Sequence, residues 1–356
     1  MVGPRVPPQA RPAHHPKEPA QRPDFMVPTV AETGPDGSSW QTPKKWSDPA
    51  TWPERGTIVT TTLYGTQSGL AERAYVYLPP EYFALAPARN MPITIVFSGY
   101  PGTAEELIAR GRYPDALLAG LASDEVAPMV LVMLPPAVTF PWDTECTDIP
   151  NGPPAFTYYA HDVPDAVADQ FHLNPTGYAA IGDSTGGYCA AKLEALDPTR
   201  FTVAVSLSGY YHPALDPTTR GAFKDPALRD RNDLGWRLQH LPAPPVSLLL
   251  ATAYDERGLD GYDTSADWLQ LIKSPMVGRE LVLEHGMHNF ATWDQEIPYG
   301  LSWISTRLPG TAVEQAPIPA DAVVTNGAEP GEADPTDFMP GGPAPAATTA
   351  RRDQAR

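Results

Sequence analysis

Along the middle of the chain, short apolar runs alternate with stretches of helical period. The runs predict buried strands at Ile58–Leu63, Ala74–Leu78, Ile93–Phe97, Met129–Leu134, Gly177–Gly182, Thr202–Leu207, Val246–Ala251 and Glu280–Leu283. They are short and nearly uninterrupted, as strands covered on both faces are. Between them, helix formers recur near Ala104–Arg110, Pro114–Leu121, Ala160–Gln170, Tyr188–Leu196, Ser265–Lys273 and Trp293–Arg307. In the last of these, Trp293, Ile297, Leu301 and Ile304 recur at helical spacing, which predicts one face packed on a core. Strands alternating with helices predict an α/β fold with a mostly parallel central sheet and helices on both faces.

The pattern fades at both ends. Residues 1–55 are rich in proline and poor in aliphatics, and residues 309–356 are rich in Ala, Pro, Gly and Asp. Neither can bury enough apolar surface to offset the entropy of ordering, so both are expected to be disordered tails. That leaves 56–308 as one catalytic-sized domain. One connection inside it is long. Residues 210–245 separate two strands and carry Tyr210, Tyr211, His212, Trp236 and His240. An insertion of that length on an α/β scaffold is expected to cap the site.

The chemistry enters at Gly182-Asp183-Ser184-Thr185-Gly186. A strand, a glycine-flanked serine and a helix make a nucleophile elbow: the sharp turn exposes the hydroxyl above the sheet, and the glycines let strand and helix approach. A serine hydroxyl needs a base, and the base needs an acid to orient it. In the α/β-hydrolase arrangement these follow in the chain order Ser, Asp or Glu, His. The strand reading Val246-Ser-Leu-Leu-Leu-Ala-Thr-Ala-Tyr-Asp255 delivers a carboxylate at its carboxyl end, so Asp255 is expected as the acid, with Glu256 as its competitor. His288 is expected as the base, with His285 as the competitor in Glu284-His-Gly-Met-His-Asn289. Two backbone N–H groups should hold the oxyanion: Thr185, beside the nucleophile, and Tyr100 in the loop Ser98-Gly-Tyr-Pro-Gly102, with Gly102 as an alternative. Pro101 has no N–H to give.

The formal net charge of −17 argues against nucleic acid or an anionic membrane as partner. No apolar stretch approaches 18 residues, so no integral membrane segment is expected. The start of the chain lacks the apolar core of a secretory signal, which makes the cytoplasm the default compartment. No cofactor or metal is expected. Cys146 and Cys189 could form a disulfide in an oxidising compartment, worth about 4 kcal/mol in the chain-entropy model, or remain buried thiols in a reducing one.

These residues carry a resemblance. Gly182-Asp-Ser-Thr-Gly-Gly187, Ser206-Leu-Ser-Gly209, His288-Asn-Phe-Ala-Thr-Trp293 and Trp142-Asp-Thr-Glu-Cys-Thr-Asp148 resemble the esterase branch of the α/β-hydrolases over about residues 56–308. That branch includes mycolyltransferases, esterase D (S-formylglutathione hydrolase) and feruloyl esterases, and the last segment is similar to its actinobacterial members. The resemblance implies Ser184 as nucleophile, Asp255 as acid, His288 as base, and Tyr100 and Thr185 as oxyanion donors. It departs at Ser98-Gly99, where the family often has His-Gly, and in the export element that its relatives usually carry. The expected function is a serine esterase or acyltransferase acting on a small-molecule or lipid acyl ester. A thioesterase or deacylase of small metabolites and a non-catalytic esterase-fold binding protein are the alternatives. Compartment and oligomeric state stay open.

Overall fold

The computed structural model describes residues 42–84, 89–256, 265–309 and 313–327, with the backbone of 32–33 and 39–40. Glu32–Thr33 and Ser39–Trp40 pair antiparallel within a unit that spans residues 1–41. A second unit begins at Thr42. Its main sheet has nine strands. They are β1 (Thr57–Tyr64), β2 (Ala71–Leu78), β3 (Ile93–Phe97), β4 (Val130–Leu134), β5 (Tyr178–Asp183), β6 (Phe201–Leu207), β7 (Ser247–Ala253), β8 (Val277–Leu283) and β9 (Ala322–Asn326). The spatial order is β9-β8-β7-β6-β5-β3-β4-β2-β1. From β4 through β8 every pairing is parallel, and β1, β2 and β9 run antiparallel to their neighbours. This is the α/β-hydrolase fold.

The helices that flank the sheet and the insertion include α1 (Ala104–Ala109), α2 (Tyr113–Ala122), α3 (Val163–Gln170), α4 (Thr185–Leu196), α5 (Pro226–Asn232), α6 (Leu234–His240), α7 (Ser265–Leu269) and α8 (Phe290–Arg307). Strands β3 and β4 are buried at every residue, which is why their sequences do not alternate. Helix α4 is buried from Thr185 to Glu194 and has no polar stripe, because protein covers it on all sides. In α8 the stripe Trp293, Ile297, Leu301 and Ile304 is buried, and Pro298 sits within the helix.

Folding extends beyond both expected domain limits. Lys44–Ser47 and Trp52–Arg55 are helical. Trp46 is fully buried with its ring edge-on to Tyr77, and Trp52 stacks on Phe83. Two tryptophans supply enough apolar area to dock a segment that proline content alone marks as a tail. At the other end, β9 adds Ala322–Asn326 to the sheet edge, with Leu283 opposite Ala322. Its β-branched pair Val323-Val324 is the local signal inside an otherwise Ala/Pro-rich stretch. Of the expected tails, residues 1–31, 34–38, 41, 310–312 and 328–356 lie outside the described residues.

The insertion divides in two. Its helices α5 and α6 pack as core, with Leu234 and Leu238 buried, and Asn232 C=O accepts from the Tyr188 hydroxyl of α4. Its first part meets the loop after β4: Asp143 N–H donates to Thr218 O and Trp142 Nε1 to Thr219 O.

Strand β4 lies on one side of β3 and β5 on the other. The carboxyl ends of β3 and β5 therefore flank a topological switch point, where open α/β sheets hold their ligands.

Candidate active site

Ser184 sits between β5 and α4 at φ 54°, ψ −122°. Such a backbone costs a non-glycine residue on the order of 1–3 kcal/mol and persists only when its surroundings impose it. They do so here. Ser184 N–H donates to Leu207 O at 2.9 Å, and Ser184 O accepts from Tyr188 N–H at 3.1 Å. A Cβ on Gly182 would lie 2.5 Å from the Gly186 backbone, and one on Gly186 would lie 2.5 Å from Phe97 O. Strand β5, helix α4 and the end of β3 meet too closely for any side chain at those two positions. The Ser184 side chain makes no capping bond to α4.

Register carries this level across the sheet. Asp183 aligns with Leu207, Leu207 with Ala251, and Ala251 with Leu281. The segments that follow these strands therefore converge on one edge, and Ser208 is the next link. It has φ 46°, and its N–H donates to Ala251 O at 2.7 Å. Its hydroxyl donates to Glu256 Oε2 at 2.7 Å and accepts from Trp293 Nε1 at 2.9 Å. Glu256 is fully buried, and its Oε1 lies 3.0 Å from His288 Nδ1. Thr252 Oγ1 and Ala253 N–H add bonds to Oε2. Burial works to raise the Glu256 pKa. The hydrogen bonds from His288 and Ser208, then the His288 charge, outweigh it and hold the carboxyl below its ordinary value. The His288 ring meets Trp293 edge-on at 5.1 Å.

The structure thus pairs His288 with Glu256. Asp255, the acid expected from the sequence, is turned away. Its Oδ2 lies 3.2 Å from His285 Nδ1, and both side chains are largely exposed, at 46% and 77%. The reason is local. Strand β7 ends at Ala253, and Tyr254–Glu256 form one 3₁₀ turn. Each residue of such a turn swings about 120° from the last, so neighbouring carboxylates point in well-separated directions.

The loop after β3 lies against Ser184: a Cβ on Gly99 would come 3.0 Å from Ser184 Cβ. Gly99 N–H donates to Asp183 Oδ2 at 2.8 Å and Gly102 N–H to Gly99 O at 2.6 Å. Gly102, the alternative oxyanion donor, is therefore already engaged. Burial raises the Asp183 carboxyl to about 7, against the pull of the Gly99 N–H. The Tyr100 hydroxyl donates to Pro141 O, and its ring lies 6.1 Å from Phe140, which is 62% exposed. Thr185 opens α4, whose first-turn N–H groups have no intrahelical acceptor.

Beside the elbow lies a buried polar layer that sequence reasoning missed. Lys192, fully buried on α4, donates to Glu145 O at 2.6 Å and Thr147 Oγ1 at 2.9 Å. Burial lowers Lys192 to about 7 and raises Glu145 to about 8, each moderated by the other's charge. Cys146 and Cys189 form a disulfide that ties this loop to α4. The signal was present in the density of charged and polar residues in Trp142–Asp148, but only the fold shows that this segment is buried. Among the described residues no three His, Cys, Asp or Glu side chains cluster as a metal site would, and no helix is long and apolar enough to cross a membrane.

A strained serine on a strand–turn–helix and a histidine paired with a buried carboxylate, both at the carboxyl edge of a parallel sheet, define an esterase-type α/β-hydrolase. The chain belongs to the family described as "Putative esterase", whose model matches residues 71–304. It is similar to the MPT51 antigen of Mycobacterium leprae, 45% identical over 58 residues, and to the MPT51/MPB51 antigen of Mycobacterium bovis, 42% identical over 66 residues. Those stretches cover 16% and 18% of this chain and only 19% and 22% of the relatives. Among solved structures, an S-formylglutathione hydrolase from Agrobacterium tumefaciens superposes with a TM-score of 0.61 at 16% identity, covering 72% of this chain and 96% of that one. A ferulic acid esterase superposes with a TM-score of 0.59 at 16% identity, covering 71% and 98%. At these identities the likeness is one of fold.

Proposed function

We propose that the protein is a serine esterase or acyltransferase working through an acyl-enzyme on Ser184, with His288 as general base and Glu256 as the acid that orients it. Glu256 takes the role expected of Asp255. With Nδ1 engaged by Glu256, proton transfer falls to Nε2 of His288. That nitrogen takes the Ser184 proton as Oγ attacks the ester carbonyl, and later returns it to the leaving alcohol. The carboxylate of Glu256 stabilises the imidazolium in between. The Tyr100 and Thr185 N–H groups hold the oxyanion, helped by the positive end of α4. Water, or an alcohol acceptor, then releases the acyl group. The rings of Tyr100 and the exposed Phe140, 6.1 Å apart, offer aromatic surface suited to the acyl or aromatic part of an ester. The fold shared with S-formylglutathione hydrolase and ferulic acid esterase is consistent with such a substrate class.

The observation that carries this reading is the strained Ser184 backbone at the same sheet edge as His288 and its buried partner Glu256. The experiment is turnover of p-nitrophenyl butyrate and labelling by a fluorophosphonate probe, for wild type and Ser184→Ala. Wild type should be labelled once per chain. The variant should lose labelling and about 10⁴-fold or more of its kcat, with a residue left from the oxyanion site. Equal turnover by the two proteins would end the proposal.

A further inference from the structure

Tyr210 begins the insertion after β6, and its ring lies on Tyr188 of α4 with centroids 4.8 Å apart. Its hydroxyl stands between two groups, 2.8 Å from Glu145 Oε1 and 3.1 Å from Thr185 Oγ1. The Glu145 end is anchored from several directions. Ala214 N–H donates to the same Oε1 at 3.0 Å, and Lys192 Nζ to its carbonyl at 2.6 Å. Its own N–H donates to Asp143 Oδ1 at 2.8 Å, and the next residue, Cys146, is joined to α4 by the disulfide. The Thr185 end is the first residue of α4, and its side chain is 5% exposed. Burial, then the charges of Glu145 and Asp143, keeps the Tyr210 phenol protonated well beyond its ordinary range.

Threonine is β-branched, so fixing Oγ1 fixes χ1 and limits how its backbone can turn. An oxyanion donor must be aimed within about 0.5 Å to be effective, and one such donor is worth about 10²–10³ in kcat. We propose that Tyr210 is a positioning residue for acyl transfer: by bridging the anchored Glu145 to Thr185, its hydroxyl holds the first turn of α4 so that the Thr185 N–H points at the oxyanion. The proposal rests on the serine-esterase reading above. It gives the insertion a role in the chemical step, separate from any part in covering the substrate.

The test is Tyr210→Phe, which keeps the ring on Tyr188 and removes only the hydroxyl. With p-nitrophenyl butyrate, kcat should fall about 10-fold or more, with KM within about twofold of wild type, because a donor that acts in the transition state is what is lost. Thr185→Val removes the same bond from the other side and should lose a similar factor. The double variant should be no slower than the slower single, since both break one connection. Melting temperatures recorded alongside separate a loss of aim from a loss of fold, and if Tyr210→Phe does not fold, Thr185→Val and its KM–kcat split carry the test. A Tyr210→Phe enzyme with wild-type kcat, a raised KM at unchanged kcat, or multiplying losses in the double variant would each overturn the proposal. Wild type that resists the fluorophosphonate probe would instead defeat the esterase reading. Labelled wild type with an unaffected Tyr210→Phe defeats only this inference.

Discussion

Two carboxylate–histidine pairs stand one residue apart at the end of β7, and they are almost the same distance across. Glu256 and His288 meet at 3.0 Å, with side chains 0% and 21% exposed. Asp255 and His285 meet at 3.2 Å, with side chains 46% and 77% exposed. Distance does not separate them; surroundings do. The Glu256 carboxylate accepts from Ser208, Thr252 and Ala253 as well as His288. Asp255 has His285 and a 3.4 Å contact from Gly286 N–H. An exposed ion pair is worth about 0–1 kcal/mol and is screened by salt. A buried carboxylate held by several donors acts on its histidine without competing water. The lesson is that a histidine becomes a candidate base through what fixes its partner.

The sharpest way to break this comparison is at the histidines. His288→Ala should lower kcat for p-nitrophenyl butyrate by about 10⁴-fold or more, and His285→Ala should leave it within about twofold. A large loss at His285 with a small one at His288 would reverse the assignment. Next come the carboxylates, exchanged for isosteric amides. Glu256→Gln should cost about 10³–10⁴ in kcat through the wrong imidazole tautomer, and Asp255→Asn less than about threefold. Steady-state kinetics on the four purified variants decides both contrasts.

A smaller effect sharpens the point that burial alone does not make a carboxylate anionic. Asp183, beside Ser184, is buried like Glu256 but has fewer donors, and burial lifts it from 3.8 to about 7. Its folded-state pKa therefore lies above its unfolded value. Its stabilising contribution is full below about pH 4 and is lost as pH rises through 7. Between pH 5 and 8 that loss amounts to about 3 kcal/mol. Asp183→Asn keeps an acceptor for the Gly99 N–H and cannot ionise. Chemical denaturation at several pH values should show wild type losing stability against this variant as pH rises. Glu256 is shifted the other way, so its contribution is present above its unfolded pKa and is lost on acidification. A wild type that gains on Asp183→Asn with rising pH would contradict the account.

The core of the fold was readable because local pattern and tertiary role coincide there. Every expected strand is present, shifted by a few residues at most. The elbow was readable for a similar reason: Gly182 and Gly186 are demanded by close approach of β5, α4 and β3, and few other residues fit. The ends read less well. Trp46 and Trp52 dock a proline-rich segment through contacts far along the chain, and Ala322–Asn326 becomes a strand only because the edge of β8 is there to pair with it. The polar layer around Lys192 and Glu145 carried no sequence period, since its members come from the loop after β4, from α4 and from the insertion.

By itself the chain determined the alternation of strands and helices, the glycine-flanked serine and the chain order of Ser184, the adjacent carboxylates Asp255 and Glu256, and His288. These are written in neighbouring residues, where backbone sterics and burial period act directly. Which of two adjacent carboxylates faces His288, and which insertion residue reaches Thr185, was decided only by the tertiary structure. A single turn of 3₁₀ helix after β7 rotates Asp255 toward water and Glu256 into the interior. Nothing in one-residue spacing encodes that rotation; it follows from where β7 ends and from the donors that Ser208 and His288 bring to it.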